Sequence, residues 1–301
     1  MLGGLYSEFL HFRYPKSFMR IRAVLAVLPM LLTLPGCKPT GEGHTMAIIG
    51  AVLIDGAGGP PLADSAVIVQ DGRIVEAGPR NAANIPPDSD KIDGYGKYLL
   101  PALVDAYRTP DPGLQPATPE QAREQVAALA AKKPETIHLW PGKMPRPVAE
   151  AVMEAARSAG IPITGHAFTQ ADARFLVDGG ASRLIGMIRD TEDPDDAFVA
   201  QLRDLRIVVA PALSAQATSD IARHNTRRLF QAGVPLAVAS SGGDLIHEAE
   251  LLVDAGIPPL DVVVAATRGG GIQPGKPANL LLLSANPGQD IGNLRKKVKL
   301  W

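Results

Sequence analysis

From residue 46 onward the chain begins with short runs of apolar, often β-branched residues separated by polar turns. The first three runs cover residues 48–54, 66–69 and 74–77, and Asp71 and Gly72 lie between the second and the third. An Asp-Gly pair between two such runs is a strong hairpin signal, because both residues tolerate the left-handed backbone of a tight turn. The pattern therefore predicts three β-strands joined by turns.

Beyond these strands the pattern alternates between short apolar runs and amphipathic helices, which favours a parallel α/β layout. Thr118 precedes Pro119 and Gln121, which predicts a helix with a threonine cap, a proline in its first position and a glutamine that reaches back. Six strands are predicted, over residues 99–106, 136–139, 161–166, 183–188, 207–210 and 236–240. Later helices are predicted over residues 148–159, 169–177, 193–202, 219–230, 244–253 and 260–267.

The segment ahead of these elements has the pattern of a secretory signal. Arg20 and Arg22 precede an apolar run over residues 23–34, which is too short for a stable membrane span. The run ends in Leu-Pro-Gly-Cys, which resembles a bacterial lipoprotein box with Cys37 as the lipidated residue. We therefore expect residues 1–37 to be a signal peptide, with Met1 or Met19 as its start, and residues 38–45 to be a tether. The alternative is a buried helix with an incidental cysteine.

The lipoprotein box implies a lipid-anchored protein of the bacterial envelope, on the periplasmic side. Lys38 stands where inner-membrane lipoproteins usually carry aspartate, so the outer membrane is favoured. Cys37 is the single cysteine of the chain, which excludes an intramolecular disulfide. The formal net charge is −1, so the composition gives no electrostatic reason to expect a nucleic-acid partner.

Residues 97–109 carry a more specific signal. They read Lys-Tyr-Leu-Leu-Pro-Ala-Leu-Val-Asp-Ala-Tyr-Arg-Thr, and they resemble the first barrel strand of the amidohydrolase superfamily, which usually ends in Pro-Gly-Leu-Ile-Asp-Ala-His-x-His. The two histidines of that motif are metal ligands in the family, and Tyr107 and Thr109 stand in their places. Residues 275–283 resemble a late strand of the same family, with Asn279 in place of its aspartate. The resemblance spans residues 46–301 and is nearest to the imidazolonepropionase-like branch.

The resemblance implies an α/β fold with two parts. Residues 99–272 are expected to form an incomplete TIM-like (β/α) barrel of about six strands, where the family has eight. Residues 46–98 and 273–301 are expected to form a small composite β-sandwich. The segment between Tyr107 and His138 holds one predicted helix where the family has two further strands with their helices, which indicates an internal deletion.

The resemblance also places the remnants of a metal site. His166 matches the fifth-strand histidine, and His138 matches the fourth-strand position that is often a carboxylated lysine. Gly186 and Ser241 occupy the positions of the sixth-strand histidine and the eighth-strand aspartate. No cofactor is expected, and zinc is expected only if a site is rebuilt around His166 and His138. The alternative for His166 is a histidine that is hydrogen-bonded to a loop, and the alternative for His138 is a partly exposed loop histidine beside Trp140.

Other residues near the expected site have weaker matches. Asp244 and His247 are candidate catalytic residues, although an N-cap is the better interpretation of Asp244. Tyr107, Ser241 and Glu248 are candidate pocket residues, and Tyr107 is expected to fill the volume of the lost metal. Asp105 matches a family residue that orients the backbone. Ser240 and Ser241 lie in no nucleophile elbow, so a serine mechanism is disfavoured.

These observations lead to competing functions. The first is an amidohydrolase-family lipoprotein, ancestrally a metal-dependent hydrolase of carbon–nitrogen bonds in amides, cyclic amides or dipeptides, whose activity is impaired because most metal ligands are missing. The second is a non-catalytic protein of the bacterial envelope that binds a small molecule or acts as a scaffold. A third is a gene remnant, whose exposed strand edges favour aggregation unless a homodimer covers them.

Overall fold

Two sheets arise from the two hydrophobic patterns of the sequence. The computed structural model describes residues 44–107, 114–216, 219–268 and 270–301. The strands in chain order are β1 (Thr45–Leu53), β2 (Leu62–Gln70), β3 (Arg73–Pro79), β4 (Asp90–Asp93), β5 (Tyr98–Pro101), β6 (Ile137–Leu139), β7 (Ile163–His166), β8 (Arg183–Ile185), β9 (Val208–Ala210), β10 (Leu280–Leu283) and β11 (Lys297–Leu300). The helices are α1 (Pro119–Ala130), α2 (Arg146–Ser158), α3 (Gln170–Asp178), α4 (Asp196–Asp204), α5 (Asp220–Gln231), α6 (Leu245–Asp254) and α7 (Pro259–Ala266).

The first sheet has seven strands, in the order β11-β10-β5-β1-β2-β3, with β4 parallel to β1. The predicted hairpin is confirmed, since β2 and β3 pair antiparallel on either side of Asp71 and Gly72. These two residues have φ values of 51° and 74°, and a two-residue hairpin turn of this kind needs a left-handed backbone at both positions.

The C-terminal part of the chain completes this sheet. Strand β10 pairs antiparallel with β5, while the segment just before it reaches the other margin, where the Ala278 amide donates to the Gly72 carbonyl at 2.8 Å. The core of the sheet is apolar and draws on both ends of the chain, with Ile48, Val67, Leu99, Leu280 and Leu282 among its buried residues. The described residues form one continuous sheet here, so the second layer of the predicted sandwich stays a prediction.

The second sheet is parallel, in the order β6-β7-β8-β9. Two less regular segments extend it. Residues 236–239 follow β9, with the Ala237 amide donating to the Val209 carbonyl at 2.9 Å, and residues 102–106 follow next, with the Ala106 amide donating to the Val238 carbonyl at 2.8 Å. The six barrel segments predicted from the sequence thus lie side by side, but the described residues form no closed barrel.

Two of the predicted strands need correction. The run predicted as one strand over residues 99–106 is divided, because Tyr98–Pro101 pairs with β10 in the first sheet and only its remainder joins the second. The strand predicted over residues 236–240 is reduced to a single bridge, between Leu236 and Val209. Both segments belong to the less regular margin of the second sheet.

The parallel strands have two distinct faces. The large core that packs against the helices takes Leu139, Ile163, Leu184 and Val209. The alternate residues lie on the opposite, inner face, as the two-residue period of a strand requires. The inner face carries small apolar residues together with polar ones: Ala106, Ala210, Ala237, Ala239 and Ile185 form one cluster, and His138, Thr164, His166 and Arg183 occupy the neighbouring positions.

The N-terminal elements predicted from the sequence lie outside the described residues. This applies to the signal segment 1–37 with Cys37 and to most of the tether, so the lipid anchor stays a prediction. Among the residues that the structure describes, no helix combines the length and the apolar character needed to cross a membrane.

Candidate functional site

Two histidines meet at the carboxyl ends of β6 and β7. His138 is opposite Thr164 in the strand register, and His166 follows two residues later on the same face. The Nδ1 atom of His138 lies 3.1 Å from Nε2 of His166, which is hydrogen-bond distance. Both side chains are buried, with exposed fractions of 7% and 2%. The structure therefore brings together the two histidines that the sequence singled out.

Aromatic rings cover this pair. The ring centroid of Trp140 lies 4.2 Å from that of His166, and Tyr107 approaches the same imidazole edge-on at 6.0 Å. The ammonium group of Lys143 lies 3.7 Å from the Trp140 ring centroid, which is cation–π contact. Rings on two sides and a cation beyond them exclude water from His166.

The electrostatics of His166 follow from this enclosure. Burial, then the neighbouring His138, then Lys143 lower the pKa of His166 to about 3. An imidazole with that pKa is neutral at physiological pH, because desolvation and nearby positive charge both disfavour the imidazolium form. One ring nitrogen of the contacting pair then donates its N–H while the other accepts. The contact engages Nδ1 of His138 and Nε2 of His166, and burial keeps the His166 imidazole neutral.

The described residues do not supply the family's metal site. A catalytic zinc site takes three protein ligands and leaves one position open. Within the described part of the chain, no group of three or more His, Cys, Asp or Glu side chains could hold a metal ion. His138 and His166 offer two nitrogens, and the two ring atoms that face each other are joined by a hydrogen bond. Thr109, at the position of a family ligand, lies outside the described residues.

Asp105 and Tyr107 lie at the margin of the second sheet, where Asp105 connects two irregular segments by hydrogen bonds. One carboxylate oxygen of Asp105 accepts from the backbone amides of Tyr107 at 2.8 Å and of Ser240 at 3.0 Å, and the other accepts from the Ser240 hydroxyl. The carboxylate thus holds two segments that lack regular strand pairing. The half-buried Tyr107 packs against the alanine cluster of the inner face.

The candidates at the eighth-strand position and on the outer face of the helix after it are exposed to solvent. Ser241 is exposed and has a φ of 51° in the turn before α6. Asp244 is the N-cap of α6, accepting from the Ile246 amide at 2.9 Å, and its hydrogen bond with Arg295 lowers the pKa of its carboxyl. His247 is more than half exposed and lies 3.6 Å from Glu250. The structure does not bring Ser241, Asp244 or His247 into contact with the histidine pair.

Glu248 has a different environment from these neighbours. It is fully buried, and its two carboxylate oxygens accept from the backbone amides of Leu213 and Ser214, the latter at 2.8 Å. Burial raises the pKa of this carboxyl, while the amide hydrogen bonds act against the rise. The side chain holds the loop that follows β9, so its polar atoms are turned to backbone rather than to a ligand.

Sequence reasoning missed the covering role of Trp140 and Lys143. Trp140 lies two residues after His138, and the two-residue period of a strand places both on one face. That spacing was the available signal. The contact with His166 depends on the neighbouring strand, which lies 26 residues further along the chain.

Comparisons with known proteins bear on the fold. No family model matches the chain, and no curated protein matches it. Among solved structures it is similar to a protein assigned as a prolidase from Bifidobacterium longum, with 20% identity, 85% of this chain and 93% of that chain covered, and a TM-score of 0.71. It is also similar to molinate hydrolase, with 15% identity, 87% of this chain and 94% of that chain covered, and a TM-score of 0.70. For A. niger ochratoxinase the identity is 14%, the coverages are 87% and 95%, and the TM-score is 0.71.

These similar structures are amidohydrolase-superfamily hydrolases. The chain therefore has the fold of that superfamily, and the resemblance predicted from residues 97–109 and 275–283 is confirmed at the level of the fold. Identities of 20% or less show the fold and leave the activity of this chain to be argued from its own residues.

Proposed function

We propose that this chain is an amidohydrolase-fold protein of the bacterial envelope whose ancestral metal-dependent hydrolysis of carbon–nitrogen bonds is impaired. One observation carries the proposal: the ring nitrogens of His138 and His166 lie 3.1 Å apart and hydrogen-bond to each other. A buried pair whose rings hydrogen-bond to each other beneath Trp140 and Tyr107 resists an incoming ion, because binding would break that hydrogen bond and displace packed rings.

The position of the family's catalytic aspartate supports the same conclusion. Ser241 stands there, in an exposed turn, and a serine hydroxyl does not accept a proton at neutral pH. The nearest carboxylates in sequence are engaged elsewhere, since Asp244 caps α6 and Glu248 holds the loop after β9. The proton acceptor that the family's hydrolysis needs is thus missing from its expected place.

The experiment is a measurement of metal content and hydrolysis on the full chain, purified without chelator and dialysed against trace zinc. We expect zinc far below one ion per chain and no saturable cleavage of an Ala-Pro dipeptide or a simple amide. His166→Ala is compared with His247→Ala, which removes an exposed histidine. Near-stoichiometric zinc that is lost in His166→Ala and kept in His247→Ala would overturn the proposal.

The alternative function is small-molecule binding, or a scaffold role, without chemistry. It is favoured by a cavity of about 500 Å³ at the margin of the second sheet, away from the histidine pair. A cavity of this size is in the range of ligand sites. The same preparation of the full chain serves as the starting material for a ligand test.

The envelope location rests on the sequence alone. We propose that Cys37 carries a lipid that anchors the chain, with the outer membrane as its destination. Incorporation of labelled palmitate into the wild-type chain, absent from Cys37→Ser, is the expected result. Equal labelling of both chains, or of neither, would contradict the anchor.

A further inference from the structure

A cavity lies at the end of the second sheet opposite the histidine pair. Its volume is about 500 Å³, and its wall includes Arg183, the first residue of β8, and Glu135, which precedes β6. Much of the remaining wall is apolar, from Val104, Ala106 and Ala237 among others. Val104 is 44% exposed although it lies in a segment that extends the second sheet.

Two arginines line this cavity from different elements. Arg183 pairs with Thr164 and Val208 in the register of the second sheet. Its Nε atom is buried without a hydrogen-bond partner in the described part of the chain. Arg268 follows α7 and is half-buried, and its Nη1 atom donates to the Leu236 carbonyl at 3.1 Å. The two guanidinium groups thus reach one cavity from segments that are 85 residues apart in the chain.

Positive charges lie close together at this end of the strands. The pKa of Arg268 is lowered by burial first and then by the charges of Arg183 and Arg206. Among the described residues, no ion pair joins any of these three arginines to a carboxylate. Glu135 also lines the cavity and is exposed to solvent. Like charges held together in a half-buried place are costly unless an anion joins them.

The wall carries other charged groups as well. Asp105 lines the cavity, and its two carboxylate oxygens accept from Tyr107 and Ser240 rather than from an arginine. Lys276 also lines the cavity, where it is exposed and adds positive charge. The surroundings therefore combine guanidinium groups that form no ion pair among the described residues with an apolar wall.

We infer that this cavity binds a small organic carboxylate, with Arg183 and Arg268 holding the carboxylate group and the apolar wall enclosing the rest of the molecule. Guanidinium groups bind carboxylate and phosphate in the same planar, bidentate manner. The apolar residues Val104, Ala106 and Ala237 favour an anion with an apolar body over inorganic phosphate. The inference does not depend on whether hydrolysis survives, because the histidine pair lies at the other end of the strands.

The test uses isothermal titration calorimetry on the full chain with benzoate as the probe and benzamide as its uncharged counterpart of the same shape. We expect saturable binding of benzoate, and affinities for benzamide that are weaker by about tenfold or more, since a charged hydrogen-bond partner is lost. Arg183→Ala and Arg268→Ala are each expected to weaken benzoate binding by about tenfold. Arg123→Ala, which removes an exposed arginine of α1, is expected to leave it unchanged.

A further variant keeps the test decisive if an arginine variant does not fold. Ala237→Leu fills the apolar part of the cavity without touching the charges, and we expect it to abolish benzoate binding while its melting curve stays cooperative. The inference is overturned if wild type does not bind benzoate, or if benzamide binds equally well. It is also overturned if inorganic phosphate binds while benzoate does not, or if folded arginine variants and Ala237→Leu all bind benzoate as wild type does. The metal measurement has no bearing on any of these outcomes.

Discussion

The polar groups at the two ends of the same parallel strands have opposite environments. At the carboxyl ends, His138 and His166 hydrogen-bond to each other beneath Trp140 and Tyr107. At the amino ends, guanidinium groups from Arg183 and its neighbours gather around a cavity without a carboxylate partner among the described residues. In barrels of this kind the carboxyl ends usually carry the chemistry and the amino ends carry the packing.

The difference shows what a parallel sheet that does not close among the described residues allows. Alanines and Ile185 on the inner face separate the two ends, so each end has its own environment. The carboxyl end is dry because the rings of Trp140 and Tyr107 cover His166, and burial keeps its imidazole neutral. At the amino end Val104 is exposed, so a ligand can reach the cavity, but the Nε atom of Arg183 is buried without a hydrogen-bond partner among the described residues. A polar group inside a protein is stable when it is paired or hydrated, and only the carboxyl end meets that condition by pairing.

The largest expected effect concerns acid pH and His166. The folded chain holds the pKa of His166 at about 3, whereas an unfolded histidine titrates near 6.5. Between these values the unfolded chain binds a proton that the folded chain does not, so stability is full above about pH 6.5 and falls as the pH is lowered. We expect this single group to remove on the order of 3 kcal/mol of unfolding free energy between about pH 7 and about pH 4.

Urea unfolding of wild type and of His166→Gln at the two pH values measures this effect, because the variant lacks the titrating group. The variant should lose less stability on acidification than wild type, by the amount given above. His247→Gln, at an exposed position of α6, should lose as much as wild type. If the His166→Gln chain and the wild-type chain lose equal stability, His166 is not the dry, neutral group that the comparison requires.

A smaller effect is expected at Glu248, which holds the loop that follows β9. Its two oxygens accept from the amides of Leu213 and Ser214, and Glu248→Gln replaces one acceptor by an NH₂ group that faces a donor. We expect a loss of about 2 kcal/mol in unfolding free energy, the cost of leaving a buried amide without its acceptor. The control is Glu250→Gln on the same helix, at a partly exposed ion pair with Arg295, where the loss should stay below about 1 kcal/mol. Equal losses would mean that the loop does not depend on Glu248.

The parts of this molecule that could be predicted from sequence are those set by neighbouring residues. The Asp71 and Gly72 turn, the Thr118 cap and the Asp244 cap each depend on contacts within a few positions, and all three are present. The meeting of His138 and His166 was predictable through the family resemblance, since both positions match the carboxyl ends of adjacent strands.

The parts that could not be predicted depend on distant segments. The apolar run from residue 99 gives no sign that it changes sheets after Pro101, because the pairing of β5 is decided by β10, which lies about 180 positions later. Likewise, Arg183, Arg206 and Arg268 follow or begin different elements, and each has the appearance of an ordinary surface arginine in the sequence. Their proximity appears only when the strands are side by side.

The smallest expected effect is at the open end and has the opposite sign from the others. Arg183→Met keeps most of the side-chain volume and removes one of the three neighbouring guanidinium groups, those of Arg183, Arg206 and Arg268. We expect the unfolding free energy to stay unchanged or to rise by up to about 1 kcal/mol at low salt, because repulsion and desolvation are relieved together. The gain should shrink at high NaCl, which screens the repulsion in wild type. Arg174→Met is the matched control, since Arg174 pairs with Asp195 at 3.0 Å and lies over the Phe198 ring, and its loss should destabilise the fold. A loss of stability in Arg183→Met as large as that in Arg174→Met would show that Arg183 is already balanced, and the contrast between the two ends would fail.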